Sequence, residues 1–231
     1  MNLCYPFKNE MCELVIWDCS AIIPVSSELT FFNKGTDSVV YLLSNFIVKV
    51  SRTDRMRPVN READILRIIH WKSKNKIVPR VLANTRYCLL MERVTGETLK
   101  KIAENSTPFE LKKKIINLLI AARELDSMGI AHRELARPGE HVIFVGEKPL
   151  FLDFGSATLT EKANNLTQIF SQVFLSYSEV SITIRKKLGI SEDNKQRFVE
   201  LLRLYKKEKD GKNSSRERIF DEILEKIEKE L

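Results

Sequence analysis

Asp153 closes the apolar run Leu150-Phe151-Leu152 and is followed by Phe154 and Gly155. An Asp leaving a buried strand, with a Gly that can turn sharply after it, presents a carboxylate able to hold a divalent cation. The same triplet also arises as an ordinary strand-to-turn exit, so its meaning depends on what precedes it. Lys49 interrupts Phe46-Ile47-Val48-Lys49-Val50, flanked by valines. It reads either as an edge-strand lysine facing water or as a cation aimed at phosphates. Glu62 falls in the first turn of a predicted helix, where a carboxylate suits the helix dipole. The alternative for Glu62 is an ion pair with Lys49. A polar loop carries His132 and Glu134, and His141 leads into the strand beyond it. A lysine and carboxylates of this kind could neutralise a charged ligand and hold a cation, provided the fold brings them together.

The elements that must position these residues are legible as strands first. Thr30-Phe31-Phe32, Val39 to Leu43 and Phe46 to Val50 read as three antiparallel strands. They are joined by the turn Asn33 to Ser38 and the tight turn Ser44-Asn45. Asn60 caps a helix whose apolar stripe is Ile65, Leu66, Ile68 and Ile69. Pro79 to Leu82 and Tyr87 to Met91 are two more strands around Asn84-Thr85. The second runs out through Glu92 to Gly96, where a boundary between two lobes is expected, residues 1–93 and 94–231. Residues 1–28 are less defined: Leu14 to Trp17 and Ala21 to Val25 read as short strands of unassigned role.

Beyond the boundary the pattern becomes helical. Thr107-Pro108-Phe109-Glu110 is a capping box with Pro at the first helical position. Apolar residues from Leu111 to Leu125 hold helical spacing, and Gly129 ends the helix. His141 to Val145, the turn Gly146-Glu147-Lys148 and Pro149 to Asp153 form a hairpin. Helices follow at Leu166 to Leu175, at Glu179 to Leu188 closed by Gly189, and after a Ser191 cap. After a link at Asp210 to Asn213 comes a last helix, capped by Ser214 with Glu217.

Composition bounds the function. With 43% hydrophobic and 30% charged residues in 231, the chain has the make-up of a soluble globular protein. No apolar run approaches a membrane span, and Met1 to Lys8 lacks the pattern of a secretory signal, so a cytoplasmic location is expected. Cys4, Cys12, Cys19 and Cys88 have no zinc-ligand spacing and read as free thiols in a reducing compartment. The net charge of +7 invites nucleic acid as a partner, but acidic residues interleave with most of the basic ones.

Taken together, Lys49, Glu62, the hinge Glu92 to Val94, His132-Arg133-Glu134-Leu135 and Asp153-Phe154-Gly155 stand in the order of the protein-kinase superfamily. From Leu29 to Leu175 the sequence resembles its small atypical members. These are the RIO-type kinases and the small kinase subunit of the KEOPS tRNA-modification complex, and the chain looks most like archaeal serine/threonine kinases of that group. The resemblance implies an α+β, two-lobed protein-kinase-like fold. The N-lobe would be a small antiparallel sheet with one main helix, and the C-lobe compact and mostly helical. It implies ATP and magnesium as cofactors. Lys49, held by Glu62, would contact the ATP phosphates, and Gly35 and Thr36 would cover them. Met91, Glu92 and Val94 would border and bond the adenine. Glu134 would be the catalytic carboxylate, and Asp153 the magnesium ligand.

Four departures from the family pattern stand out. The catalytic Asp is Glu134, one methylene longer. Residue 139, where an Asn metal ligand is expected, is Gly, and His141 takes that position if the loop is slightly longer. Imidazole is a poor magnesium ligand, so His141 reads as a phosphate contact, a ligand for another metal, or a stabiliser of the loop. The Gly-rich loop has one glycine, and no Ala-Pro-Glu follows Gly155. The main expectation is a serine/threonine kinase with its own hydroxyls among the acceptors. The alternatives are an ATP-binding pseudokinase or slow ATPase acting as a switch in a complex, a small-molecule kinase, and a nucleic-acid-associated scaffold. Beyond ATP, the partner would be an unidentified protein substrate or complex subunit, with no membrane.

Overall fold

The computed structural model describes residues 3–4, 10–208 and 215–230. The chain divides into two compact units. One comprises residues 1–71 and 78–94, the other 72–77 and 95–231.

The first unit is built on α1 (Glu10–Ser20), β1 (Thr30–Lys34), β2 (Ser38–Leu43), β3 (Phe46–Ser51), α2 (Asn60–Lys72), β4 (Val81–Asn84) and β5 (Cys88–Glu92). Its five strands pair antiparallel in the order β1-β2-β3-β5-β4. The β2–β3 register sets Val40 opposite Lys49 and Tyr41 opposite Val48. Side chains alternate across a strand, so Val48 and Val50 enter the core while Lys49 points to the other face.

Residues 10–20 are helical, where a strand was expected at 14–17, and residues 21–25 form a turn where a second strand was expected. Leu14, Val15, Ile16 and Trp17 carry the β-branched and aromatic character of a strand. Tertiary packing decides otherwise: Val15 and Cys19 on one face of α1, with Ile23 in the turn after it, are buried against Val39, Val48, Val50 and Cys88. Asp18 adds a polar clamp. Its Oδ2 accepts from the Thr85 hydroxyl at 2.5 Å and from the Tyr87 amide at 2.8 Å, fixing the turn between β4 and β5. The sheet therefore carries two helices rather than one. Cys4 and Cys12 form a disulfide, with Cα atoms 5.3 Å apart, where free thiols were expected. Cys19 and Cys88 are buried free thiols, as read. The hydrogen bond to Cys88, with burial, pushes the Cys19 thiol up.

The second unit begins with β6 (Glu97–Thr98), α3 (Leu99–Asn105) and α4 (Pro108–Ser127). The capping box at Thr107 and Glu110 forms as the sequence predicts. Then come β7 (Ile130–Ala131), α5 (Pro138–His141), β8 (Val142–Val145), β9 (Lys148–Phe151) and β10 (Thr158–Leu159). β6, β8 and β9 make a three-stranded sheet, and β7 pairs with β10. α6 (Asn165–Phe170) continues as a π-helical turn, Ser171–Leu175. α7 (Glu179–Leu188), α8 (Glu192–Lys207) and α9 (Ser215–Glu230) complete the unit. Gly189 ends α7 with φ 67°, a left-handed conformation that suits glycine. Ser191 caps α8. The expected cap at Ser214 and the link Asp210 to Asn213 lie outside the described residues. No helix among the described residues is long and apolar enough to cross a membrane.

Asp126, at the C-terminal end of α4, joins these helices. Its carboxylate is buried and accepts from the Asn165 amide at 2.6 Å, the Asn165 side chain at 2.8 Å and the Tyr205 hydroxyl at 2.8 Å. Arg216 of α9, 1% exposed, stacks on the Tyr205 ring and donates to the Ala163 carbonyl. Burial pushes the Asp126 carboxyl up, while its donors and Arg216 favour the charged form.

Candidate functional site

In the first unit the decisive pair is Lys49 with Glu62. Lys49 lies on β3 and Glu62 in the first turn of α2, and Nζ is 2.7 Å from Oε2. Both side chains are nearly buried, 9% and 4% exposed, so the edge-strand reading of Lys49 does not hold. A carboxylate this close gives a nearly buried lysine a fixed direction. Gly35 and Thr36 lie in the exposed turn between β1 and β2, closed by a bond from the Gly35 amide to the Ser38 carbonyl at 2.8 Å. Arg52, which sequence reasoning passed over, donates to the Gly35 carbonyl at 3.3 Å. Met91 sits on β5 opposite Ile47, and the Glu92 amide is taken by the Arg80 carbonyl at 2.9 Å. Val94 is half-buried, just beyond β5.

In the second unit the polar loop between β7 and α5, the end of α5 and the exit of β9 converge. Glu134, His141 and Asp153 each offer a ligand atom, and those atoms lie within 4.8 Å of one another. His141 is buried, Glu134 half-buried and Asp153 exposed. Glu134 Oε2 is 3.4 Å from His141 Nε2. Glu134 Oε1 accepts from the Ser156 hydroxyl at 2.6 Å.

The backbone holds this cluster under strain. Arg133 has φ 75° and Asp153 φ 62°. Left-handed backbone at non-glycine residues costs on the order of 1–3 kcal/mol each and persists where the surroundings over-determine it. The surroundings here are His132 and Asn165. The His132 amide donates to Asn165 Oδ1 at 2.9 Å, and its ring Nε2 donates to the Leu152 carbonyl at 2.9 Å. That bond puts the ring proton on Nε2. Phe154 packs edge-on against the ring at 4.5 Å. Burial drives His132 down to about 4, so the ring is neutral. His132 therefore braces the loop on one side and the strand exit on the other. The sequence singled out His132 as a loop residue but gave no signal for Asn165, Asp126 or Ser156.

The two carboxylates fit a magnesium ion, which prefers oxygen ligands; the imidazole fits manganese, cobalt or zinc better. A divalent cation held here would neutralise phosphate charge.

Comparisons with known proteins follow this geometry. No family model matches the chain. An uncharacterized protein of Methanocaldococcus jannaschii, MJ1211, is 29% identical over 117 residues, covering 51% of this chain and 99% of the relative. The gentamicin-APH(2")-IIa complex superposes with a TM-score of 0.55 at 14% identity, over 86% of this chain and 88% of that one. The streptomycin-ATP-APH(2")-IIa ternary complex gives 0.53 at 13% identity, over 80% and 87%. The fold is protein-kinase-like. At such identity the likeness is one of fold, and the chemistry has to be argued from the residues.

Proposed function

We propose that the chain is an ATP-dependent phosphotransferase that moves the γ-phosphate to a hydroxyl acceptor. The observation that carries this is the convergence of Glu134, His141 and Asp153 within 4.8 Å in a protein-kinase-like fold. Asp153 would hold the divalent cation that screens the phosphates. Lys49, held by Glu62, would neutralise phosphate charge. Glu134 would accept the acceptor's proton. Gly35 and Thr36 would lie over the phosphates, and Met91, the Glu92 carbonyl and Val94 would border the base. Residues 1–93 and 94–231 would act as the two lobes of this fold.

The solved neighbours carry streptomycin with ATP in one case and gentamicin in the other, which supports a small-molecule hydroxyl as acceptor. The order of Lys49, Glu62, His132, Glu134 and Asp153 supports the second acceptor class, a protein serine or threonine, in a kinase of the RIO or KEOPS type.

Magnesium or manganese with ATP should raise the melting temperature, because a ligand bound by the native state stabilises it. Labelled γ-phosphate should then appear on an aminoglycoside, on added protein or on the chain itself. Glu134→Gln should abolish transfer and retain ATP binding. Absence of any melting shift refutes the nucleotide reading. Binding without transfer to any acceptor leaves a pseudokinase, and release of phosphate to water alone leaves a slow ATPase.

A further inference from the structure

Ser156 is joined to Glu134 in a way that the roles above do not use. It follows Gly155 directly, its side chain is exposed, and its Oγ donates to Glu134 Oε1 at 2.6 Å. The His132 carbonyl lies 3.4 Å from the same hydroxyl. A hydroxyl donating a short bond to a carboxylate assigned as general base is the arrangement of an activated nucleophile. The carboxylate is oriented for the purpose. Glu134 follows the strained Arg133 and clusters with the strained Asp153, and its second oxygen faces His141 at 3.4 Å. The hydroxyl is held too: Ser156 lies between Gly155 and the buried Ala157, whose amide bonds to the Phe154 carbonyl at 3.1 Å. Base, hydroxyl and candidate cation ligand all belong to one compact unit.

We propose that Ser156 is an acceptor of the γ-phosphate, so that the protein phosphorylates itself within one chain at this residue; the proposal rests on the phosphotransferase reading. The Ser156 oxygen attacks the γ-phosphorus and a new phosphorus–oxygen ester bond forms. The bond from the γ-phosphorus to the bridging oxygen breaks, and that oxygen leaves with its electron pair as part of ADP. The hydroxyl proton passes to Glu134 Oε1, with which it is already bonded. No other reactant is needed. The product sets a phosphate dianion beside the Glu134 carboxylate, so repulsion drives the phosphoseryl group outward. The hydroxyl that occupied the base is then gone, and each chain takes one phosphate at this position.

The test is incubation of the full chain with ATP and either magnesium or manganese. Intact mass, peptide mapping and ADP release are followed together, with binding of ATP scored separately by melting temperature. The expected result is one phosphate per chain at Ser156, appearing at a rate independent of protein concentration. Ser156→Ala should remove that phosphopeptide, and Ser156→Thr, which keeps a hydroxyl, should restore it. Glu134→Gln should remove it while ATP still raises the melting temperature. Transfer to another acceptor with Ser156 unmodified overturns the proposal and leaves the phosphotransferase reading standing, whereas ADP release with no phosphorylated acceptor overturns the proposal and leaves a slow ATPase. A rate that rises with protein concentration overturns the intramolecular step. No binding of ATP overturns both.

Discussion

The side-chain oxygen of Asn165 accepts the backbone N–H of His132 at 2.9 Å, and the same side chain donates to Asp126 at 2.8 Å. A buried amide at the head of α6 thus fixes the loop that carries Glu134, and passes that constraint to the carboxylate on which α4, α8 and α9 meet. Asn165→Leu takes the acceptor from the His132 amide and the side-chain donor from Asp126 and the Ile130 carbonyl, while Asp126 keeps the backbone amide of residue 165. The expected cost is about 1–3 kcal/mol, the usual cost of leaving one buried group unsatisfied. Urea unfolding measures it. A loss below about 1 kcal/mol would show that water or a local shift replaces these bonds.

Lys49 and Glu62 were legible because a lysine inside a valine-rich strand is out of place unless something buried answers it. The capping box at Thr107 was legible because both partners lie within one turn of each other, and so was the cap at Ser191, though not its partner Asn194. Other features escaped for a shared reason. Asn165 and Asp126 are ordinary polar residues until chain segments 39 positions apart meet. Ser156 gains meaning only from Glu134, 22 positions earlier. α1 escaped differently: its residues favour a strand locally, and only the packing of Val15 and Cys19 against the sheet makes the helix.

Removing one partner of the Lys49–Glu62 pair strands a buried charge, whereas removing both does not. Glu62→Ala should therefore destabilise by about 3–5 kcal/mol, and Lys49→Met with Glu62→Leu should recover most of that. Both variants should lose phosphotransfer. Thermal unfolding and γ-phosphate transfer, run on the same samples, separate the two effects. A double variant as unstable as Glu62→Ala would show that further contacts of these residues dominate.

Gly96 allows a close backbone approach. A Cβ there would collide with the Phe144 carbonyl oxygen and lie 2.7 Å from Ile143 Cγ2, on the strand that β6 pairs with. Gly96→Ala should cost about 1–3 kcal/mol, the usual range when backbone must shift to admit a methyl group. Gly139, with nothing within 4 Å of a Cβ, supplies the control. Gly139→Ala should stay within about 0.5 kcal/mol of the parent in the same denaturant titration.

His132 makes stability pH-dependent. Burial holds it down to about 4 in the folded chain, below the 6.5 of a solvated imidazole. A depressed value means that the unfolded chain takes up the proton first. The contribution is therefore complete above pH ~6.5 and is lost as pH falls toward ~4. Across that window it amounts to about 3 kcal/mol, at roughly 1.4 kcal/mol per pH unit. His132→Phe, which fills the space beside Phe154 without a titrating group, should flatten the stability profile between these limits by one proton. An unchanged slope would mean that another group sets it.

If a cation binds at Asp153, His141 should decide which one is preferred. Magnesium is held by oxygen and dehydrates reluctantly, while manganese, cobalt and zinc accept imidazole nitrogen. With Glu134 Oε2 and His141 Nε2 only 3.4 Å apart, a cation at Asp153 has the imidazole close by. Without nucleotide, manganese should bind more tightly than magnesium by roughly tenfold, the scale on which changes around a metal alter its affinity. His141→Asn replaces nitrogen with an amide oxygen and should shrink that ratio by weakening manganese more than magnesium. Asp153→Ala should weaken both. Calorimetric titration of each cation into the three proteins reads these changes. Equal affinities in the parent, unmoved by His141→Asn, would assign His141 to holding the loop rather than the metal.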